Sequence, residues 1–261
     1  MKSGGILAGR RGLILGVSSE NSAGYACAAA AIEQGASVAI THRPSRRGTV
    51  SALAARLGAE RVELEATSES SVREAFAQVG VLLGGLDFLV HTLVHVPDGI
   101  LTRPATAITA AEFQTTMEVG VRSLLVACRF AQPLLEHSTA PRVVALSSGG
   151  GESAMPSYHA VGIAKAALAA AVRYLALELG PRGTLCNVVS FSLVDTDAAL
   201  SAVGRDAAEA TRRHLAKRSM TRANTTLADV GEAVAYFASP LLRNVTGETL
   251  TVDGGFSRAY F

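Results

Sequence analysis

Apolar residues fall along this chain in two alternating rhythms, short continuous runs and longer stretches with helical spacing. The short runs are GLILGV (12–17), ASVAIT (36–41), RVELE (61–65), LDFLVH (86–91), RVVALSS (142–148), TLCNVV (184–189) and ETLTV (248–252). Most are rich in Val, Ile and Leu, and they read as strands buried in a sheet. Between them the spacing predicts an alanine-rich helix ending near Gln34, a helix near 47–57 and another before 86. A long helix over 111–136, one over 157–180, a polar helical stretch and a helix near 227–238 follow. Strand–helix alternation predicts a parallel sheet with helices on both faces and right-handed crossovers. The predicted class is α/β, a doubly wound Rossmann-type sheet forming one domain over 1–261, because no linker or repeat interrupts the pattern.

Composition sharpens this picture in three places. Hydrophobic residues make up 49% and charged residues 18%, enough for a large core and unlike a disordered chain. The net charge of +2 offers no nucleic-acid surface, so none is expected as a partner. The basic N-terminus precedes an apolar run too short for a signal sequence, and no run approaches the ~20 apolar residues of a membrane span. A soluble, cytoplasmic protein is therefore expected. Cys27, Cys128 and Cys186 are far apart in apolar surroundings and read as buried small hydrophobes, with no disulfide framework and no metal site.

Candidate chemistry gathers at the carboxyl ends of the strands, where open α/β sheets bind ligands. After the first strand, Gly16 to Tyr25 lacks G-x-G-x-x-G, but Gly16, Ser22 and Ala23 frame a longer loop at a helix start. Bare backbone N–H groups there would suit a phosphate, and Ser22 can cap the helix. An ordinary strand–helix turn is the bland alternative. The second strand ends in Thr41-His42-Arg43-Pro44-Ser45-Arg46-Arg47, with no acid to hold a ribose 2′-hydroxyl. Arginines at that position suit a 2′-phosphate, which makes NADPH the expected cofactor, with Arg43, Ser45, Arg46 and Arg47 around its phosphate. Ser148 closes the fifth strand, and Tyr158 and Lys165 lie near the start of the next helix. Seven residues are two helical turns, about 10.5 Å of rise, which would put both side chains on one face. A lysine beside a cofactor ribose can help a nearby tyrosine act as acid or hydrogen-bond donor.

Taken together, these motifs resemble the short-chain dehydrogenase/reductase superfamily, and within it the bacterial enoyl-acyl-carrier-protein reductases. Gly16 to Tyr25 is similar to that group's Gly-Val-Ala…Ser-Ile-Ala loop, and His91-Thr92-Leu93 stands where the group has His-Ser-Ile. Tyr158 precedes Lys165 by seven residues, as in the enoyl reductases, while Val161 occupies the nearer position used by most ketoreductases. The stretch from Leu227 to Ser257, with Val252-Asp253-Gly254-Gly255-Phe256-Ser257, is similar as well. The resemblance implies that Tyr158 hydrogen-bonds a thioester carbonyl and Lys165 the nicotinamide ribose. It further implies Gly16, Ser22 and Ala23 at the pyrophosphate, His91, Thr92 and Leu93 along the cofactor, Val194 at the carboxamide and Thr196 at the phosphates. It also implies an acyl thioester substrate on acyl carrier protein or coenzyme A, and a homotetramer.

Four departures keep other readings open. Ser148 replaces an aromatic residue common in the enoyl reductases and matches the serine of the wider superfamily's Ser-Tyr-Lys set. Ala66-Thr67 replaces the usual Asp-Val at adenine, leaving Thr67 as the candidate contact. Phe191-Ser192 replaces Pro-Gly or Ala-Gly, and Gly120 falls where the superfamily's helix asparagine is expected. The stretch 198–224 matches no motif; its position suggests a substrate lid, with Leu200, Val203 and Leu215 as apolar lining and His214 at the surface. Three functions are thus in play: enoyl-thioester reductase, atypical ketoreductase, and a non-catalytic NADPH sensor.

Overall fold

A computed structural model describes residues 4–260. Among the described residues seven strands form one wholly parallel sheet in the order β3-β2-β1-β4-β5-β6-β7. They are β1 (Arg11–Leu15), β2 (Ser37–His42), β3 (Glu60–Glu63), β4 (Phe88–His91), β5 (Arg142–Ser148), β6 (Leu185–Phe191) and β7 (Thr249–Val252). Every apolar run became a strand, with ends shifted by at most two residues, because runs buried on both faces leave only their boundaries ambiguous. Strand order reverses between β1 and β4, and that switch point opens the crevice for a ligand.

Alternate residues of β5 feed two cores. Val143 and Ala145 pack with Leu13, Leu89, Val121 and Leu168 on one face, and Val144 and Leu146 pack with Ile14, Ile40, Val90 and Val234 on the other. The first face is covered by α3 (Glu69–Leu83), α5 (Ser123–Leu135) and α6 (His159–Leu179). The second is covered by α1 (Ala23–Glu33), α2 (Arg47–Leu57) and α9 (Leu227–Ala238). Cys27, Cys128 and Cys186 are free and buried, and burial pushes the thiols of Cys27 and Cys186 up to about 12.

Two expectations need correction. The long helix expected over 111–136 is α4 (Ala110–Met117) joined to α5 by a π-helical turn, Glu118–Arg122. Helical spacing cannot reveal one extra residue in a turn, and such turns often lie at functional sites. Gly120, at the expected asparagine position, is buried within it and faces Ala164 of α6. The second correction concerns His159–Arg182, which is long and apolar enough by composition to cross a membrane. Half of it is buried against the protein, and it carries a buried lysine, so it is a core helix.

Helices α1 and α9 approach closely because Gly231 has no side chain. A Cβ there would lie 2.7 Å from the Ala26 carbonyl oxygen and 3.0 Å from Ala30 Cβ. Backbone on one side of that contact cannot swing aside. The Gly231→Val variant should therefore lose about 1–3 kcal/mol of stability, as overpacking typically costs, read from the urea unfolding midpoint. A midpoint at or above that of the unmodified protein would show the two helices to be loosely packed.

Candidate active site

The carboxyl end of β5 organises this site. Past Ser148 the chain passes through Gly149-Gly150-Gly151, a 3₁₀ turn, before reaching α6. A Cβ on Gly150 would lie 2.3 Å from Tyr158 Cδ1, so the missing side chain admits the tyrosine ring. Ser157 takes the left-handed backbone conformation, φ 59°, and swings the chain into Tyr158. That geometry is uncommon for serine and costs of order 1–3 kcal/mol. Ser148 Oγ donates to Tyr158 Oη at 3.0 Å, which leaves the phenol's own proton for a further acceptor. Burial raises the tyrosine's pKa and the serine bond opposes this, so the phenol is protonated at neutral pH.

Tyr158 is the N-cap of α6 and lies outside the helix, with φ −117° and ψ 8°. The expected two turns of shared helical face are therefore shortened. Tyr158 and Lys165 are instead organised by β5. The Lys165 ammonium is buried and donates to the Leu146 carbonyl oxygen at 2.8 Å, two residues before Ser148. Burial lowers its pKa from 10.5 to about 8. An ammonium has three donors, so two remain for other partners.

The phosphate loop, 16–22, runs from β1 to α1. Gly16 has φ 96°, and a Cβ there would lie 2.6 Å from Leu93 Cδ2. Ser22 caps α1, accepting from Tyr25 N and donating to Ser19 O at 2.7 Å, and Ala23 is the first helical residue. Thr92 donates to Leu15 O at 2.6 Å, so Thr92 and Leu93 buttress the loop. Ser19 Oγ is buried with no partner. A cradle of small residues, an orphaned hydroxyl and a capped helix N-terminus fit the pyrophosphate of a dinucleotide. Glu20, in the same loop, is held by Arg56 of α2 at 2.7 Å.

Several predicted contacts stand differently. The His91 side chain is fully buried; Ser123 donates to Val119 O at 2.6 Å, so His91 Nε2 donates to Ser123 Oγ at 2.7 Å. Burial, then the nearby Lys165 charge, lowers this imidazole to about 3. Its side chain is thus a neutral core group beneath the crevice and does not line it. Among the arginines after β2, Arg43 and Arg46 are exposed with no ion-pair partner among the described residues, and Ser45 lies between them in a 3₁₀ turn. Arg47 is engaged: its Nε and Nη2 both donate to Glu63 Oε2, at 3.0 and 2.8 Å. The second strand has no acid at its end, but β3 brings one beside it. Thr67 donates to Glu65 Oε1 at 3.0 Å and is exposed. Val194 is buried, and Thr196 caps α7 (Asp197–Val203) by accepting from Ala199 N.

Segment 198–224 folds into α7 and α8 (Arg205–Arg218). Asp195, just after β6, pairs with Arg212 of α8, and Asn21 of the phosphate loop donates to Asp197 at 3.3 Å. Leu200 and Leu215 are half-buried, Val203 is 39% exposed, and His214 is exposed with its ring edge-on to Phe256. Sequence reasoning passed over the three glycines, Glu63 and His159. The glycines were visible as a run directly after Ser148. His159 Nδ1 accepts from Ala160 N and Nε2 donates to Arg103 O at 2.6 Å, tying the start of α6 to the 99–109 segment. No spacing signal announces such a contact.

Doubly wound topology, a phosphate cradle at the switch point and a Ser–Tyr–Lys set at the end of β5 define an oxidoreductase of the short-chain dehydrogenase type. Residues 16–257 match the family model described as Enoyl-(Acyl carrier protein) reductase, and the chain belongs to that family. It is 34% identical over 97% of both chains to the enoyl-[acyl-carrier-protein] reductase [NADH] FabI of Neisseria meningitidis. The crystal structure of the Anaplasma phagocytophilum reductase in complex with NAD superposes with a TM-score of 0.91 at 31% identity, covering 100% of this chain and 96% of that one. The Bacillus cereus enoyl-acyl carrier protein reductase with NADP+ and indole naphthyridinone gives 0.92 at 25% identity, over 98% and 100%.

The Lys165 ammonium yields a pH prediction. Between 8, its folded value, and 10.5, the unfolded chain binds more protons than the folded one, so this group makes stability rise with pH. Lys165→Met should lack that rise. The difference in unfolding free energy between the two proteins should change by up to about 3 kcal/mol from pH 7 to pH 11, measured by urea unfolding. Parallel pH curves would contradict a depressed lysine.

Proposed function

We propose that this protein reduces the carbon–carbon double bond of an enoyl thioester, carried on acyl carrier protein or coenzyme A, with NADPH as its preferred cofactor. The observation that carries the reading is Tyr158 Oη, supported by Ser148 and standing one residue ahead of α6, with buried Val161 at the nearer position. A nicotinamide bound in the crevice would supply hydride to the carbon β to the thioester carbonyl. Tyr158 then donates to the thioester oxygen, where negative charge develops, and a preformed donor at that point is the largest single contribution such a site makes. Its withdrawn position suits an oxygen whose carbon lies two atoms from the hydride acceptor. Lys165 keeps one proton on Leu146 O, and its remaining donors would hold the nicotinamide ribose. Gly16, Ser19, Ser22, Ala23 and Thr196 would hold the pyrophosphate, with Thr92, Leu93 and Val194 along the cofactor and Thr67 near adenine.

Arg43 and Arg46 support the choice of NADPH, since both are exposed and lack ion-pair partners among the described residues. The relatives named above include one described with NADH, one solved with NAD and one solved with NADP+, so these arginines carry the argument. Helices α7 and α8 would form a lid latched by Asp195 and Arg212. The basic excess of α8, with Arg205, Arg213 and Lys217, suits an anionic carrier. Ile163, Tyr174 and Leu177 leave an exposed apolar face on α6, which supports the expected homotetramer. One observation favours ketone reduction as a second reading: the Ser148 hydroxyl lies beside Tyr158 and, by turning its one proton away from the phenol, could hold a ketone oxygen there.

The test follows NADPH oxidation by absorbance with a crotonyl thioester and an acetoacetyl thioester. Turnover of the first and little of the second is expected; the reverse hands the site to ketone reduction. No turnover of either with NADPH bound would leave a sensor. Arg43→Gln should raise the KM for NADPH about tenfold, in keeping with one charge-assisted hydrogen bond, and leave that for NADH nearly unchanged. Equal use of both cofactors by the unmodified protein would end the NADPH assignment.

A further inference from the structure

The ribose end of the crevice contains an acid that its own strand does not supply. Parallel pairing of β2 with β3 sets Glu63 opposite His42, the last residue of β2. Arg47 opens α2 on the same side, and its guanidinium rests on a single oxygen of Glu63 through Nε and Nη2, at 3.0 and 2.8 Å. The pair is exposed, with 65% of the arginine side chain and 37% of the glutamate accessible, so it is weak and cheap to open. Arg43 and Arg46 compete with no such acid.

We propose that Glu63 is a specificity-determining residue at the adenosine ribose, one that competes with a 2′-phosphate for Arg47. The proposal rests on the cofactor reading above and deepens it. A 2′-phosphate carries about two negative charges and is best held by a guanidinium fork. Glu63 occupies the Nε/Nη2 edge of Arg47, so a phosphate taking that edge displaces the carboxylate, and one taking the Nη1/Nη2 edge lies beside it; either way it meets a like charge. A ribose 2′-hydroxyl meets neither cost, and Glu63 Oε1 is available to accept from it. Glu63 therefore narrows the preference that Arg43 and Arg46 create.

Direct titration of NADPH and NADH, followed by nicotinamide fluorescence without any substrate, tests this. Glu63→Gln should tighten NADPH roughly three- to tenfold, as expected for removing one like charge nearby, and leave NADH unchanged or weaker. In an Arg47→Gln background the same change should gain less than twofold. An NADPH/NADH affinity ratio unmoved by Glu63→Gln would overturn the proposal. So would an equal gain with and without Arg47, since Glu63 would then not be competing for it. A preference of the unmodified protein for NADH would overturn the NADPH reading alone, because the change in ratio on Glu63→Gln is read independently. NADH binding by each variant confirms that it is folded.

Discussion

A buried ammonium needs an acceptor, and Lys165 finds one in the carbonyl oxygen of Leu146. That bond fixes α6 against the carboxyl end of β5, where two residues later Ser148 takes the oxygen of Tyr158. One strand end thus sets the positions of the Tyr158 phenol, its supporting hydroxyl and the Lys165 ammonium. The triple glycine between β5 and α6 is the geometric condition for this, since a side chain on Gly150 would occupy the place of the tyrosine ring. The strain accepted at Ser157 belongs to the same turn. Beneath it, His91 and Ser123 form a neutral hydrogen-bonded pair against the π-helical turn, so the imidazole adds no charge beside the ammonium.

Electrostatics at the other end of the crevice follow a different rule. There the groups are exposed, their interactions are individually small, and charge is balanced pairwise: Glu20 by Arg56, Glu63 by Arg47. Arg43 and Arg46, without ion-pair partners among the described residues, leave this end net positive. On the proposed reading, cofactor choice would be a small difference between competing surface contacts, whereas the Tyr158 and Lys165 end rests on buried ones.

The fold was legible because its strands are continuous apolar runs bounded by turns, and Arg142–Ser148 and Leu227–Ala238 came out of the sequence with their bounds intact. Gly16 and Ser22 were legible because left-handed backbone and helix capping favour those residue types; Ser148, Tyr158 and Lys165 were named from chain position and resemblance, and the structure shows Ser148 bonded to Tyr158 and Lys165 bonded to Leu146 O. What escaped were contacts made across the sheet. Glu63 is remote from the arginines in sequence and becomes their neighbour only through strand pairing. His91 looked like a crevice residue by position, yet the last residue of a central strand can point into the core, and the hydroxyl of Ser123 is what keeps it there. The π-helical turn at Gly120 has no periodic signature strong enough to separate it from an uninterrupted helix.

The central claim is that the donor at Tyr158 stands away from the carbon that receives hydride. The most direct measurement supplies cofactor deuterated at nicotinamide C4 and locates the label in the product by NMR. The account predicts deuterium on carbon 3 of a saturated acyl thioester. A deuterated carbinol carbon, with the enoyl thioester left unreacted, would contradict it.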